Sequence, residues 1–231
     1  MPNKRRSTAG RRARQPDSDA RGHLLDAAIA LFAERGIANT TVAQIAAAGQ
    51  VTSAMVHYWF DTRERLLDAV VEEHIAPRFR AVWEPADVGH GEPLEVVQGI
   101  VHRMFDVTEQ APWLPSLWLR EIVNEGGLLR ERALRHIPVV KKLAPFGQNI
   151  ARGQQRGEVN GAIEPLLLFN SILALVMLPQ ATAKIWRRVN PSLTLDRATL
   201  ERHVIALLMH GIADGKAAAG GRQRGRSRST A

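Results

Sequence analysis

The sequence predicts an all-α fold, on three observations. Apolar residues recur at helical spacing along most of the chain, and no stretch alternates with the two-residue period of a strand. Capping patterns and Gly/Pro breaks cut that periodicity into helices of ordinary length. Within residues 40–67, TTVAQIAAAGQVTSAMVHYWFDTRERLL, two short helices flank a tight turn and a third opens behind them, which is the pattern of a helix-turn-helix.

Taken in order, helix 1 is expected over 17–35, with Leu24, Leu25, Ala28, Ile29, Leu31 and Phe32 as its buried stripe and Gly36 as its left-handed stop. Thr41 with Gln44 reads as a capping box, and Val42, Ile45 and Ala46 place a small apolar face inward. Gly49 and Gln50 break the pattern, and Thr52 caps the next helix. Val51, Val56 and Phe60 anchor that helix. Thr52, Ser53, Ala54, Met55, His57 and Tyr58 are left largely outward, with partial core packing as the alternative for Met55 and Tyr58. Asp61 with Glu64 reads as a second capping box, opening a helix from about Thr62 toward Trp83 that Pro77 should kink. Residues 87–93 form a connector.

Beyond it, Leu94, Val97, Val101, Met104 and Phe105 mark one helix and residues 115–125 another. Gly126 and Gly127 interrupt, a short segment follows, and Pro138 starts a helix through Ile150. Residues 158–165 form a loop. A helix over 165–188 is apolar nearly all round in its first half, so both its faces need cover. The last helix, 196–213, carries Leu200, Val204, Leu207, Leu208 and Gly211 on one face.

The net charge of +8 sits in the ends of the sequence. Residues 1–16 hold six bases and no acid, and residues 216–231 hold five and no acid, whereas residues 17–215 hold 20 bases and all 23 acids. Such Arg/Gly/Ser/Ala-rich ends cannot build a core, so a basic arm and a basic tail are expected to be disordered. The tail reads as solubilising. The arm abuts the helix-turn-helix and reads as a DNA contact, with attraction to RNA or a membrane surface as the alternative. There is no cysteine, which excludes a disulfide framework and suits a reducing cytoplasm. The opening residues lack the apolar core of a secretory signal. The longest apolar run, 166–178, falls short of the ~20 residues that span a bilayer, so no membrane partner is expected.

The second helix of a helix-turn-helix fits a major groove. Helix N-termini at Thr41 and Thr52 present amides to phosphate. Base reading falls to Thr52, Ser53, Ala54, Met55, His57 and Tyr58. Ala54 and Met55 suit thymine methyls, and Ser53 and His57 suit base edges or backbone. Residues 17–74 hold four bases (Arg21, Arg35, Arg63, Arg65) against nine acids, so this domain offers little phosphate neutralisation by itself.

The stretch LLDAAIALFAERGIANTTVAQIAAAGQVTSAMVHYWFDTRERLL resembles the DNA-binding domain of the TetR family of transcription regulators. Phe32, Gly36, Thr40–Thr41–Val42, Ile45–Ala46, Val51, Tyr58, Phe60 and Leu66–Leu67 carry the resemblance. Two positions depart from the family's pattern: Gln50 stands where the family has glycine, with Gly49 one place earlier, and His57 stands where it has Tyr or another aromatic. The resemblance implies a DNA-binding domain over 17–74, with Arg63 at the position of a phosphate-contacting base. It also implies a ligand-binding and dimerisation domain over 75–215. In such proteins the last two long helices pack with those of a mate as a four-helix bundle, which assigns Leu200, Val204, Leu207, Leu208 and Gly211 to the interface; monomer core is the alternative. A small-molecule effector, apolar or aromatic, is implied inside the helical bundle. Its candidate lining is Met104, Phe105, Trp113, Trp118, Phe146, Phe169 and Met177, with packed core as the alternative for each, and Glu121 is the acid placed to meet a cationic ligand.

No catalytic motif is present: no G-x-S-x-G, Walker A, G-x-G-x-x-G or H-E-x-x-H. His203 and His210 have no third ligand at helical spacing, so no metal and no cofactor are expected. The expected function is a ligand-responsive, homodimeric, cytoplasmic transcription regulator, a repressor, on a palindromic double-stranded operator. The alternatives are a helical small-molecule binder that has lost DNA binding and, with less behind it, an enzyme built on the helical domain.

Overall fold

The computed structural model describes residues 15–84, 88–137, 139–192 and 195–213, and these are almost wholly helical. The basic segments 1–14 and 216–231 and the helix start at Pro138 lie outside the described residues. The first four helices are α1 (Gln15–Arg35), α2 (Val42–Ala48), α3 (Ser53–Phe60) and α4 (Arg63–Val70). They are followed by α5 (Ala76–Trp83), α6 (Pro93–Gln110), α7 (Leu114–Trp118), α8 (Arg130–His136) and α9 (Val139–Gln155). Last come α10 (Pro165–Ala181), α11 (Ala183–Val189) and α12 (Arg197–Ile212). Among the described residues the only strand-like pairing is one antiparallel bridge, Val159 with Ala213. Beside it Asn160 donates its backbone N–H to the Ile212 carbonyl (2.7 Å) and its side-chain amide to that of Gly211 (3.1 Å), pinning the 158–164 loop to the end of α12.

Three expected boundaries move, each for a local reason. α4 and α5 are joined by a π-helical turn, Val71–Ile75, in which Ala76 N–H reaches back to the Val71 carbonyl. Pro77 has no N–H to give and its ring crowds the carbonyl four residues back, so the ladder widens just before it rather than kinking at it. A second π turn, Leu119–Val123, continues α7 where one helix over 115–125 was expected. The long helix expected over 165–188 is two, α10 and α11, bent by 58°. Thr182 gives both its N–H (3.0 Å) and its hydroxyl (2.7 Å) to the Leu178 carbonyl, closing α10, while its own carbonyl accepts the first amides of α11.

Two apolar cores form. One is built from α1–α4 and the first π turn, with Phe32, Ile37, Ile45, Val56, Phe60 and Leu66 buried in it. Leu117, Leu129, Ala133 and Ile137 also belong to it, so α7 and α8 dock onto the N-terminal helices and the cores do not divide at one point in the chain. The other joins α5, α6, α9, α10 and α12 around Trp83, whose ring lies 4.6 Å from Phe169 and 5.9 Å from Phe146. No single helix among the described residues is long and apolar enough to cross a membrane.

Candidate nucleic-acid interface and ligand cavity

The turn before the recognition helix is set by hydrogen bonds. Val51 N–H donates to the Ala46 carbonyl (2.9 Å) and Gln50 N–H to that of Ala47 (3.2 Å), the Schellman pattern that calls for a left-handed residue at the second position. That residue is Gln50, at φ 56°. Gly49 is not the left-handed residue but the close-contact one: a Cβ there would lie 2.7 Å from Leu24 Cδ1 on α1. The sequence therefore spends its glycine on packing against α1 and leaves a glutamine in the conformation that favours glycine.

α2 and α3 begin as their caps require. Thr41 Oγ1 accepts from Gln44 N–H (3.2 Å) and Gln44 Oε1 from Thr41 N–H (2.8 Å), a complete capping box. Thr52 Oγ1 accepts from Met55 N–H (3.3 Å). Along α3, Val56 and Phe60 are buried, Thr52, Ser53, Ala54, His57 and Tyr58 are exposed and Met55 is half-buried; Tyr58 is 72% exposed and so is not core. His57 Nδ1 lies 3.0 Å from the Asp61 carbonyl. A carbonyl only accepts, so Nδ1 is the donor in this contact; in the tautomer with Nδ1–H, Nε2 is an acceptor, a group that can pair with the exocyclic amine of adenine or cytosine in a major groove.

The helix after α3 opens differently from expectation. Its cap is Thr62, whose Oγ1 accepts from Arg65 N–H (3.2 Å), not Asp61. Asp61 sits at φ 58°, ψ −64°, and Thr62 N–H closes back on the Phe60 carbonyl, so Asp61 is the centre of a γ-turn. Arg63, expected at a phosphate, donates from Nη1 to the Thr40 carbonyl (2.6 Å) and from Nη2 to that of Ile37 (2.5 Å). It braces the loop that carries α2, because that loop has carbonyls with no helical partner.

Arg21 is likewise engaged, in a two-point contact with Glu73 (2.6 and 2.8 Å) over the Phe60 ring. The Arg21 hydrogen bond holds the Glu73 carboxyl below its ordinary range.

Glu121 was expected to meet a cationic ligand; instead it is a buried strut. Its Oε1 accepts from Ile37 N–H just after α1 (2.9 Å) and its Oε2 from Leu128 N–H (3.2 Å). The carboxylate thus joins the N-terminal helices to the second π turn, one turn after Trp118. No sequence window contains this contact, since 84 residues separate Glu121 from Ile37.

The apolar slot in the second core has about 510 Å3 of empty space, its mouth included. Of the residues expected to line a cavity, Met104, Trp118, Phe169 and Met177 do. Phe105 and Trp113 instead line a separate groove between α1 and α11, and Phe146 stands behind the slot, edge-on to Trp83. Sequence reasoning missed the rest of the wall, Arg78, Phe79, Trp83 and Thr108 among it. Arg78, Phe79 and Trp83 lie on α5 and Thr108 on α6, and the apolar pattern of those helices did not mark them as lining residues. Arg78 lies with its guanidinium 5.0 Å from the Trp113 ring centre and gives Nη1 to the His74 carbonyl (2.7 Å). Burial lowers its pKa, partly offset by Asp26.

On the last helices, Leu200, Val204 and Leu208 face inward and are buried in the second core, so within one chain the expected interface face is already covered. Leu207 and Gly211 are exposed. Among the described residues no group of three or more His, Cys, Asp or Glu could hold a metal ion.

Comparisons with known proteins agree with this architecture. Residues 24–70 match the family model described as bacterial regulatory proteins, tetR family. The transcriptional repressor KstR2 of Mycobacterium tuberculosis is 32% identical over 92 residues, which cover 38% of this chain and 44% of that protein. The chain thus spans less than half the length of that relative. The transcriptional repressor SCO4008 of Streptomyces coelicolor is 27% identical over 159 residues, 68% of this chain and 76% of that one. Among solved structures, the ketosteroid transcriptional regulator KstR2 of Mycobacterium tuberculosis superposes with a TM-score of 0.63 at 21% identity, covering 84% of this chain and 94% of that one. Residues 24–70 thus match the helix-turn-helix domain of the tetR family of bacterial regulatory proteins, and the chain as a whole shares the helical fold of the KstR2 structure.

Proposed function

We propose that the protein is a cytoplasmic, ligand-responsive repressor that binds a palindromic operator as a homodimer and has no enzymatic role. The observation that carries this reading is the exposed face of α3, on which Thr52, Ser53, Ala54, His57 and Tyr58 stand clear of the core with Met55 beside them. The domains would be a basic arm to residue 16, a DNA-reading unit to residue 74, an effector and dimer unit to residue 215, and a basic tail. The effector slot sits behind Trp118, and the strut from Glu121 to Ile37 gives a mechanical link from that slot to the DNA-side helices. The mate would cover the outward face of α10 and α12. Leu167, Ser171, Ala174 and Leu178 recur on α10 and Leu207 with Gly211 on α12, all exposed, with small residues that let helices approach closely. The relatives' names as repressors favour negative regulation. Genomic footprinting with the purified protein tests the reading. Protection of paired half-sites about one helical turn apart is expected; protection of random DNA alone would overturn it.

A further inference from the structure

α4, the π turn Val71–Ile75 and α5 carry the chain from the first apolar core into the second. Among the described residues two half-buried apolar side chains pack against both cores, Phe79 on α5 and Trp113 just before α7. His74, in the π turn, sits at that boundary. Its half-buried imidazole lies edge-on to the Trp113 ring, with ring centres 6.5 Å apart. Its Nδ1 stands 3.8 Å from the Asp26 carboxylate on α1. Its carbonyl accepts from Arg78 Nη1 (2.7 Å), whose guanidinium lies 5.0 Å from the centre of the same Trp113 ring.

The charges that act on the ring come from three elements: Asp26 and Arg21 on α1, Glu73 in the π turn, and Arg78 on α5. α8 also packs on the turn, but its Arg132 and Arg135 answer Asp68 and its His136 answers Glu72 (3.4 Å). Burial holds the His74 imidazole below the ordinary histidine range; Asp26 and Glu73 oppose that, and Arg78 and Arg21 add to it.

We propose that the joint at His74 is a proton-sensitive hinge, closed on Trp113 at neutral pH and loosened by acid, so that α1–α4 lose their fixed orientation to the second core. A neutral imidazole suits an aromatic edge in a partly apolar site, whereas an imidazolium needs water or an acid. Asp26 is exposed and, at 3.8 Å, beyond hydrogen-bond reach, while Arg78 is held close by the His74 carbonyl and repels the charged ring. An open joint lets His74 take a proton near pH 6.5, whereas the packed ring takes it only at lower pH. The closed contact is therefore at full strength above about pH 6.5 and weakens as pH falls below it. The hinge stands on these contacts alone. Its effect on operator binding rests on the repressor reading, in which a loosened joint has to be ordered again before two half-sites are read.

Hydrogen exchange of the full-length protein at about pH 7.5 and about pH 5.5, corrected for intrinsic exchange rates, tests the hinge. Amides of residues 71–83 and 113–118 are expected to open more often in acid, by up to about tenfold. That limit is reached when the packed ring stays neutral while the open one titrates near 6.5. His74→Gln is neutral throughout and should remove the increase, whereas His136→Gln should leave it. Asp26→Asn, at an exposed position, takes away an acid that favours the charged ring and should enlarge the increase. No increase in the parent, or an equal one in His74→Gln, would overturn the hinge. Should His74→Gln fail to fold by circular dichroism, an acid response unchanged by Asp26→Asn would overturn it instead. Affinity for the operator fragment recovered by footprinting should fall with acid more steeply in the parent than in His74→Gln. Equal falls would overturn the coupling to DNA, and the absence of any operator would count against the repressor reading, since the exchange result needs no DNA.

Discussion

Gln50 holds a left-handed backbone conformation that costs an L-residue about 1–2 kcal/mol. Part of that returns if glycine replaces it, less the greater freedom glycine has when unfolded. Gln50→Gly is therefore expected to stabilise the chain by about 0.5 kcal/mol, and Gln50→Val, with a branched Cβ at the same φ, to destabilise it. Urea midpoints at constant slope check both, and a Gly variant less stable than the parent would mean the glutamine side chain itself is needed. Glu121 is a different kind of residue, buried at 5% exposure with two amides depending on it. Glu121→Ala orphans Ile37 N–H and Leu128 N–H and should cost about 3 kcal/mol. If it is the strut between slot and DNA helices, ligand should still bind the variant yet release DNA poorly. Undiminished release would leave it a structural brace only.

At the scale of elements, local chemistry was legible where it was self-contained. Thr41 with Gln44, Thr52 and Gly36 each act within a few residues of themselves, and the caps and stop form at those positions. What escaped was whatever depends on a partner far along the chain or on competition between neighbours. Thr62 displaced Asp61 as a cap because the γ-turn consumed Asp61. The wall residues Arg78 and Trp83 went unmarked because the residues that complete the wall with them lie on α6, α7 and α10. The apolar stripe of α12 was visible, but periodicity cannot say whether an apolar face meets its own chain or a mate. Leu200, Val204 and Leu208 meet their own chain, and Leu207 is 49% exposed. This separation makes a contrast between adjacent positions. Leu207→Glu should yield folded monomers, whereas Leu208→Glu puts an unpaired charge into the second core and should unfold it. Sedimentation showing an intact dimer for Leu207→Glu would remove the α10/α12 face from the interface.

For the whole molecule the open issue is where cations for DNA come from. The N-terminal helices carry nine acids against four bases over 17–74. The structure engages three of those bases: Arg21 with Glu73, Arg35 near Glu34 (3.6 Å) and Arg63 with two carbonyls. Arg65 stays exposed. Helix N-termini at Thr41 and Thr52 add partial charge but no counterion release comparable to a side chain. The six cations of residues 1–14 are then the largest nearby source, next to the start of α1. Basic arms beside a helix-turn-helix can reach an adjacent minor groove. Each phosphate they neutralise adds about 0.9 to the slope of log K against log salt. Deleting residues 2–14 is expected to weaken specific and random binding together and to flatten that slope by about three units for a dimer that loses three to four contacts. Preference among bases should persist, because Ser53, Met55 and His57 remain. A slope unchanged by the deletion would assign the arm to solubility alone and return the phosphate contacts to Arg65 and the helix ends.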